Sequence, residues 1–158
     1  MHSHLVPTRD DGVRTIDEGL ELCWQAARHG TGVRYATPHV HAGWDHFPLT
    51  AERRALYDEA FPVMRVQCAT FGLDLRRGFE IYPGALPASA DLSEFGLSGS
   101  GGYLIEFPGS WTDEPDPLGL VWAEAERAER AGLQPVLAHP VALVQVCLLL
   151  ALAETLVH

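Results

Sequence analysis

Apolar residues along this chain fall into alternating helical and strand-like blocks. Ile16, Leu20, Trp24 and Ala27 recur at helical spacing after a Thr15/Glu18 capping box, and Gly30 supplies a stop, so the pattern predicts a helix from Ile16 to His29 with those four residues inward. Gly32 to Thr37 reads as a short buried strand ending at Pro38 and delivering His39. Leu56, Ala60, Val63 and Met64 mark a second helix from Thr50 to Gly72, which Pro62 is expected to kink or restart. Leu73–Tyr82 and Tyr103–Phe107 are predicted as strands. Leu118–Ala131 reads as a helix with Leu118, Val121, Trp122 and Ala125 inward and Gly132 after its end, and Pro135–Ala138 as the last strand.

This alternation predicts an α/β fold of βα units with mainly parallel strands. Polar exceptions sit where the strands end. Glu80 lies between Phe79 and Ile81, and Glu106 between Ile105 and Phe107; His39 and His139 close their own strands. A carboxylate inside an apolar strand needs a cation or strong hydrogen bonds to offset several kcal/mol of desolvation. Carboxyl ends of parallel strands are where α/β active sites are built. With His2 and His4 at the start and the pair Asp10-Asp11 before Gly12, the inventory is imidazole and carboxylate without thiolate, which suits a hydrolytic Mn, Fe or Zn cluster.

Composition narrows the classes. A chain of 158 residues is one domain by length and short for a closed barrel, which takes roughly 250. Net charge is -10, every basic residue is Arg, and no basic run could track a phosphate backbone, so nucleic acid is excluded as the expected partner. Cys23, Cys68 and Cys147 form no CxxC pair and follow no secretory signal, which favours core roles in a reduced, cytoplasmic setting. Nor does any of them precede an Arg at the Cys-x5-Arg spacing of a cysteine phosphatase, the sixth residues on being His29, Asp74 and Ala153. The apolar run Val141–Ala153 contains Gln145 and falls short of the ~20 residues of a membrane span; residues 141–158 are expected to be a divergent helical tail, and 1–140 the functional domain.

The blocks His2-Ser3-His4, Asp10-Asp11-Gly12, Ala36-Thr37-Pro38-His39, Gly78-Phe79-Glu80-Ile81-Tyr82, Leu104-Ile105-Glu106-Phe107 and Ala138-His139-Pro140, in this order, resemble the bacterial CpsB/CapC-type manganese-dependent protein-tyrosine phosphatases, members of the polymerase-and-histidinol-phosphatase (PHP) superfamily. The resemblance implies a partial, distorted (β/α)7 TIM-like barrel with up to three divalent ions, manganese first, with Fe or Zn as alternatives. By the same resemblance His2, His4 and Glu80 hold one ion; Glu80, Glu106 and His139 a second; Asp11 and His39 a third. It implies hydrolysis of phosphotyrosine by a metal-activated water, on a partner such as a tyrosine kinase of polysaccharide export. Homo-oligomers are left open.

Against the family pattern, only Met1 precedes His2, Val141-Ala142-Leu143 stand where a Glu-Arg-Tyr-like signature is expected, and no C-terminal Asp-x-His follows, so a truncated chain is expected. Two other readings remain: a PHP phosphatase for a small ester such as histidinol phosphate, and an inactive or partner-dependent fragment. Ser3 is a poor nucleophile candidate, having no nucleophile elbow. His41 and His46 are candidates to orient phosphate or tyrosine and Trp44 to stack on an aromatic ring, Arg9 reads as a surface ion pair, and Asp10 is the less favoured carboxylate of its pair.

Overall fold

The computed structural model describes residues 2–41, 47–107 and 115–139. Seven short strands and three helices alternate as β1 (His2–Ser3), α1 (Ile16–Arg28), β2 (Val33–Ala36), β3 (His39–Val40), α2 (Ala51–Thr70), β4 (Asp74–Arg77), β5 (Glu80–Ile81), β6 (Gly102–Ile105), α3 (Pro117–Arg130) and β7 (Gln134–Leu137), with a 3-10 turn at Leu92–Phe95. The fold is α/β, and the strand pairs of both sheets, ordered β1-β2-β4 and β3-β5-β6-β7, are parallel.

The expected strand Leu73–Tyr82 is divided into β4 and β5, and β3 is a further strand beyond the end of the expected Gly32–Thr37 strand. The chain passes from β2 to β3 through Thr37-Pro38 and from β4 to β5 through Gly78-Phe79, changing sheets both times. Pro38 has no N–H for the ladder, which explains the first interruption. Hydrogen bonds nevertheless bridge the gap: Thr37 N donates to Ser3 O, Gly78 N to Ala36 O and Glu80 N to Pro38 O. Tyr57, fully buried on α2, seals the seam by donating its hydroxyl to Ala36 O at 2.8 Å. The two sheets thus follow one another around a shared core of Leu5, Val6, Tyr57, Met64, Leu75, Phe79, Ile81, Tyr103 and Ile105.

The helices keep their predicted places but not every predicted face. Trp24 is exposed and packs under Arg28, while Gly19 and Cys23 face inward on α1. A Cβ on Gly19 would lie 2.1 Å from Leu5 O, so only glycine permits this approach of helix to strand. On α3 the expected inward residue Trp122 is 68% exposed, and Glu124 and Ala128 are buried instead. Apolar spacing misleads there because a carboxylate occupies the inward position and finds partners. Pro62 lies inside α2, which runs unbroken from Ala51 to Thr70. Both Pro62 and Asp58, whose carbonyl loses its i+4 donor, lie on the exposed side of the helix.

Cys23 and Cys68 are free and buried, as core residues. Cys147 and the predicted tail at 141–158 lie outside the described residues. No described helix is long and apolar enough to cross a membrane.

Candidate metal centre

Every polar strand-end residue singled out above converges on one face of the molecule, centred on Glu80. This carboxylate is 0% exposed, and neither of its oxygens makes a hydrogen bond. Imidazoles surround it without aligning for donation: His4 Nε2 lies 3.1 Å, His39 Nδ1 3.6 Å and His2 Nδ1 3.8 Å from Oε2, and His139 Nε2 lies 3.2 Å from Oε1. The parallel register of β3 and β5, with His39 opposite Glu80, brings the central pair together.

Around this centre three groups place ligand atoms within 4.8 Å of one another: His2, His4 and Glu80; His4, Asp11 and His39; and His39, His41 and Glu106. The first matches the expected first set, and the second adds His4 to the expected pair of Asp11 and His39. Glu106 departs from the expected middle set. Its Oε2 lies 2.6 Å from His41 Nε2 and 3.2 Å from His39 Nδ1, whereas His139 turns toward Glu80 and belongs to none of the three groups. His139 has a 60% exposed side chain and a φ of 53°, a left-handed conformation costing about 1–2 kcal/mol outside glycine. Asp11 is also exposed on one side, its Oδ1 3.4 Å from His39 Nε2.

The loop after β1 is built to hold His4. Val13 N donates to His4 O, and a Cβ on Gly12 would stand 2.3 Å from that oxygen, so the chain turns back over His4 only with glycine there. Asp10, the less favoured of its pair, has a fully buried side chain: Oδ2 lies 3.2 Å from His4 Nδ1 and accepts from His39 N, while Oδ1 accepts from Gly12 N. Holding Nδ1 leaves Nε2 of His4 facing Glu80, the arrangement by which outer carboxylates fix metal-binding histidines. Buried Arg53 at the start of α2 braces the same loops, donating to Thr8 O, Pro48 O and His39 O.

Asp10 and Arg53 were not assigned site roles from sequence. Asp10 carried a signal in the Asp-Asp-Gly block. For Arg53 the signal is a cation in the first turn of a helix, where the macrodipole disfavours it. Arg9 pairs with Glu52 on the surface, as expected, and Ser3 is occupied in hydrogen bonds to Tyr35 O and from Arg34. His46 and Trp44 lie outside the described residues.

Electrostatics in the metal-free centre follow from these contacts. Burial disfavours charge on His4, but Asp10 and Glu80 outweigh it and raise its pKa to about 10. Burial likewise works against a charged Glu106, yet His39 and His41 overcome it and hold the carboxyl at about 2. His39 is shifted upward, its burial outweighed by Glu106, and His2 downward, chiefly by burial. The charge that Asp10 and Glu80 favour on His4 has the sign that a divalent cation would supply there. Unbonded buried oxygens on Glu80, the unbonded Nδ1 of His39 and a donor set of imidazole and carboxylate all fit such ions.

A comparison with protein-family models matches residues 1–147 to the family described as capsular polysaccharide synthesis, CpsB/CapC. No match is found among curated proteins.

Proposed function

The chain belongs to the CpsB/CapC family of capsular polysaccharide synthesis, and from that membership and the geometry of the centre we propose that it is a metal-dependent phosphoesterase acting on phosphotyrosine. The observation that carries the reading is Glu80, a carboxylate with no exposure and no hydrogen bond, ringed by four imidazoles. Left without a cation or a charged histidine beside it, such a group opposes folding by several kcal/mol.

In this reading His2, His4, Asp11, His39, Glu80, Glu106 and His139 are the metal ligands, and the strands form part of a distorted (β/α)7 barrel. The parallel pairing supports the barrel, since each polar residue is delivered to the same rim. Divalent ions bound there supply two things, a water acidified enough to attack phosphorus and positive charge beside the phosphoryl oxygens. Glu80 joins the ligand groups, Asp10 fixes the His4 ring, and Arg53 holds the loops that carry both. Hard oxygen and nitrogen donors favour manganese over metals that prefer thiolate. A tyrosine-phosphorylated kinase of polysaccharide export is the substrate suggested by the family's role in capsule synthesis.

The test is phosphate release from a phosphotyrosine peptide by manganese-loaded protein in water enriched in 18O. Expected is release that carries one solvent oxygen into the phosphate, is abolished by chelator and is absent from Glu80→Ala. Full metal occupancy without phosphate release would refute the activity.

A further inference from the structure

We propose that His41 is a direct ligand, through Nε2, of a divalent cation held by Glu106. The proposal rests on the metal-centre reading above and extends it to a residue outside the seven expected ligands. Its Nε2 lies 2.6 Å from Glu106 Oε2, and the same oxygen lies 3.2 Å from His39 Nδ1. That second nitrogen is buried and meets the carboxylate at ion-pair distance without an aligned hydrogen bond, so the pocket between the three side chains contains a donor atom whose bonding is incomplete. All three ligand atoms fall within 4.8 Å of one another. Donors each 2.0–2.2 Å from one ion stand roughly 3–4.4 Å apart, so the His41–Glu106 pair need only open slightly and the widest pair close by a few tenths of an ångström.

The topology explains why His41 arrives there. His39 and His41 are two residues apart on extended chain and so project to the same side. Strands β3 and β6 flank β5, with Val40 opposite Ile81 and Ile81 opposite Ile105. One step further along, His41 and Glu106 stand on either side of Tyr82 and reach toward each other across it. The imidazole is also fixed from behind. His41 N donates to Phe47 O at 3.0 Å, and the ring packs against Tyr82 at 5.2 Å and His39 at 5.0 Å.

An imidazole in this place could instead serve only to orient Glu106 by a hydrogen bond. The two roles differ in what a glutamine can replace: a Gln amide can still donate to Glu106, but it is a poor substitute for an imidazole ligand. The experiment is cobalt(II) titration, followed by visible absorption and calorimetry, of the full chain and its His41→Ala and His41→Gln variants. Anomalous diffraction from cobalt-loaded wild-type crystals accompanies it, so the conclusion does not depend on a variant folding.

Expected is at least a tenfold loss of affinity at one site in both variants, with the His2–His4–Glu80 site unchanged. An anomalous peak about 2.0–2.2 Å from His41 Nε2 is expected in the wild-type crystal. Wild-type affinity in His41→Gln, or a cobalt peak beyond about 3 Å from Nε2, would overturn the ligand role while leaving the metal centre standing. Wild-type protein that takes up no cobalt would overturn both.

Discussion

Two buried glutamates in this protein have opposite surroundings. Glu124 on α3 accepts hydrogen bonds from the Tyr103 hydroxyl at 2.8 Å and Gly84 N at 3.1 Å, with Arg127 3.5 Å away. Glu80 is more deeply buried and accepts none, though four histidines stand close by. A carboxylate placed for stability is satisfied by the protein itself, as Glu124 is. One left unsatisfied among imidazoles is a group that the proposed cation would satisfy. Tyr103 records the same difference from the other side, since burial and the neighbouring Glu124 charge push its phenol pKa upward and keep it a neutral donor.

That contrast fails or sharpens under substitution. The largest effect is expected at Glu80. In wild-type protein, manganese at about a hundred times its Kd adds about 2.7 kcal/mol of stability by mass action, and Glu80→Ala should lose all of that increment. The metal-free forms of the two proteins should melt within a few degrees of each other, because removal of an unbonded buried charge offsets the loss of its contacts. Thermal melts with and without manganese check both statements. For Glu124→Ala the expectation is reversed: a cost of about 1–3 kcal/mol from orphaned donors, equal with and without metal, and unchanged metal content. A metal-dependent cost there would erase the distinction.

A smaller change is expected at Asp10, which touches the centre only through its neighbours. Asp10→Asn should weaken manganese binding about 10–100-fold without changing stoichiometry, measured by calorimetry. A lost equivalent of metal would instead make Asp10 a ligand.

The smallest effect is the pH dependence of the metal-free protein. His4 has its pKa raised from 6.5 to about 10, so its stabilising contribution is complete below pH 6.5 and is lost as pH rises through about 10. Glu106 is depressed from 4.5 to about 2, so its contribution is present above pH 4.5 and disappears as pH falls through about 2. Chelated protein should therefore be most stable between these limits, losing at most about 1.4 kcal/mol from His4 over one pH unit above 6.5. Denaturant melts across this range should show the alkaline decline in wild type and a flatter one in His4→Gln.

Much of the centre was legible in the sequence because strand ends are local features. A charged residue after a short apolar run, repeated at Glu80, Glu106 and His139, can be read without knowing what packs on what. What was not legible depends on tertiary partners. Trp122 and Trp24 matched an apolar stripe yet face solvent, and Glu124 occupies the interior because Tyr103 and Gly84, distant in sequence, donate to it. The division of Leu73–Tyr82 between two sheets accompanies the break at Pro38 on the neighbouring chain segment, which strand periodicity does not encode. Likewise, the partnership of His41 with Glu106 depends on β3 and β6 flanking β5, an order that local patterns leave open.

The most direct test of the account is elemental analysis of manganese, iron and zinc per chain in wild type, Glu80→Ala and Glu124→Gln, all purified without chelator. The account predicts at least one tightly held ion per chain in wild type and Glu124→Gln, and none in Glu80→Ala. Metal-free wild type, or Glu80→Ala holding as much metal as wild type, would contradict the claim that Glu80 is buried to bind a cation.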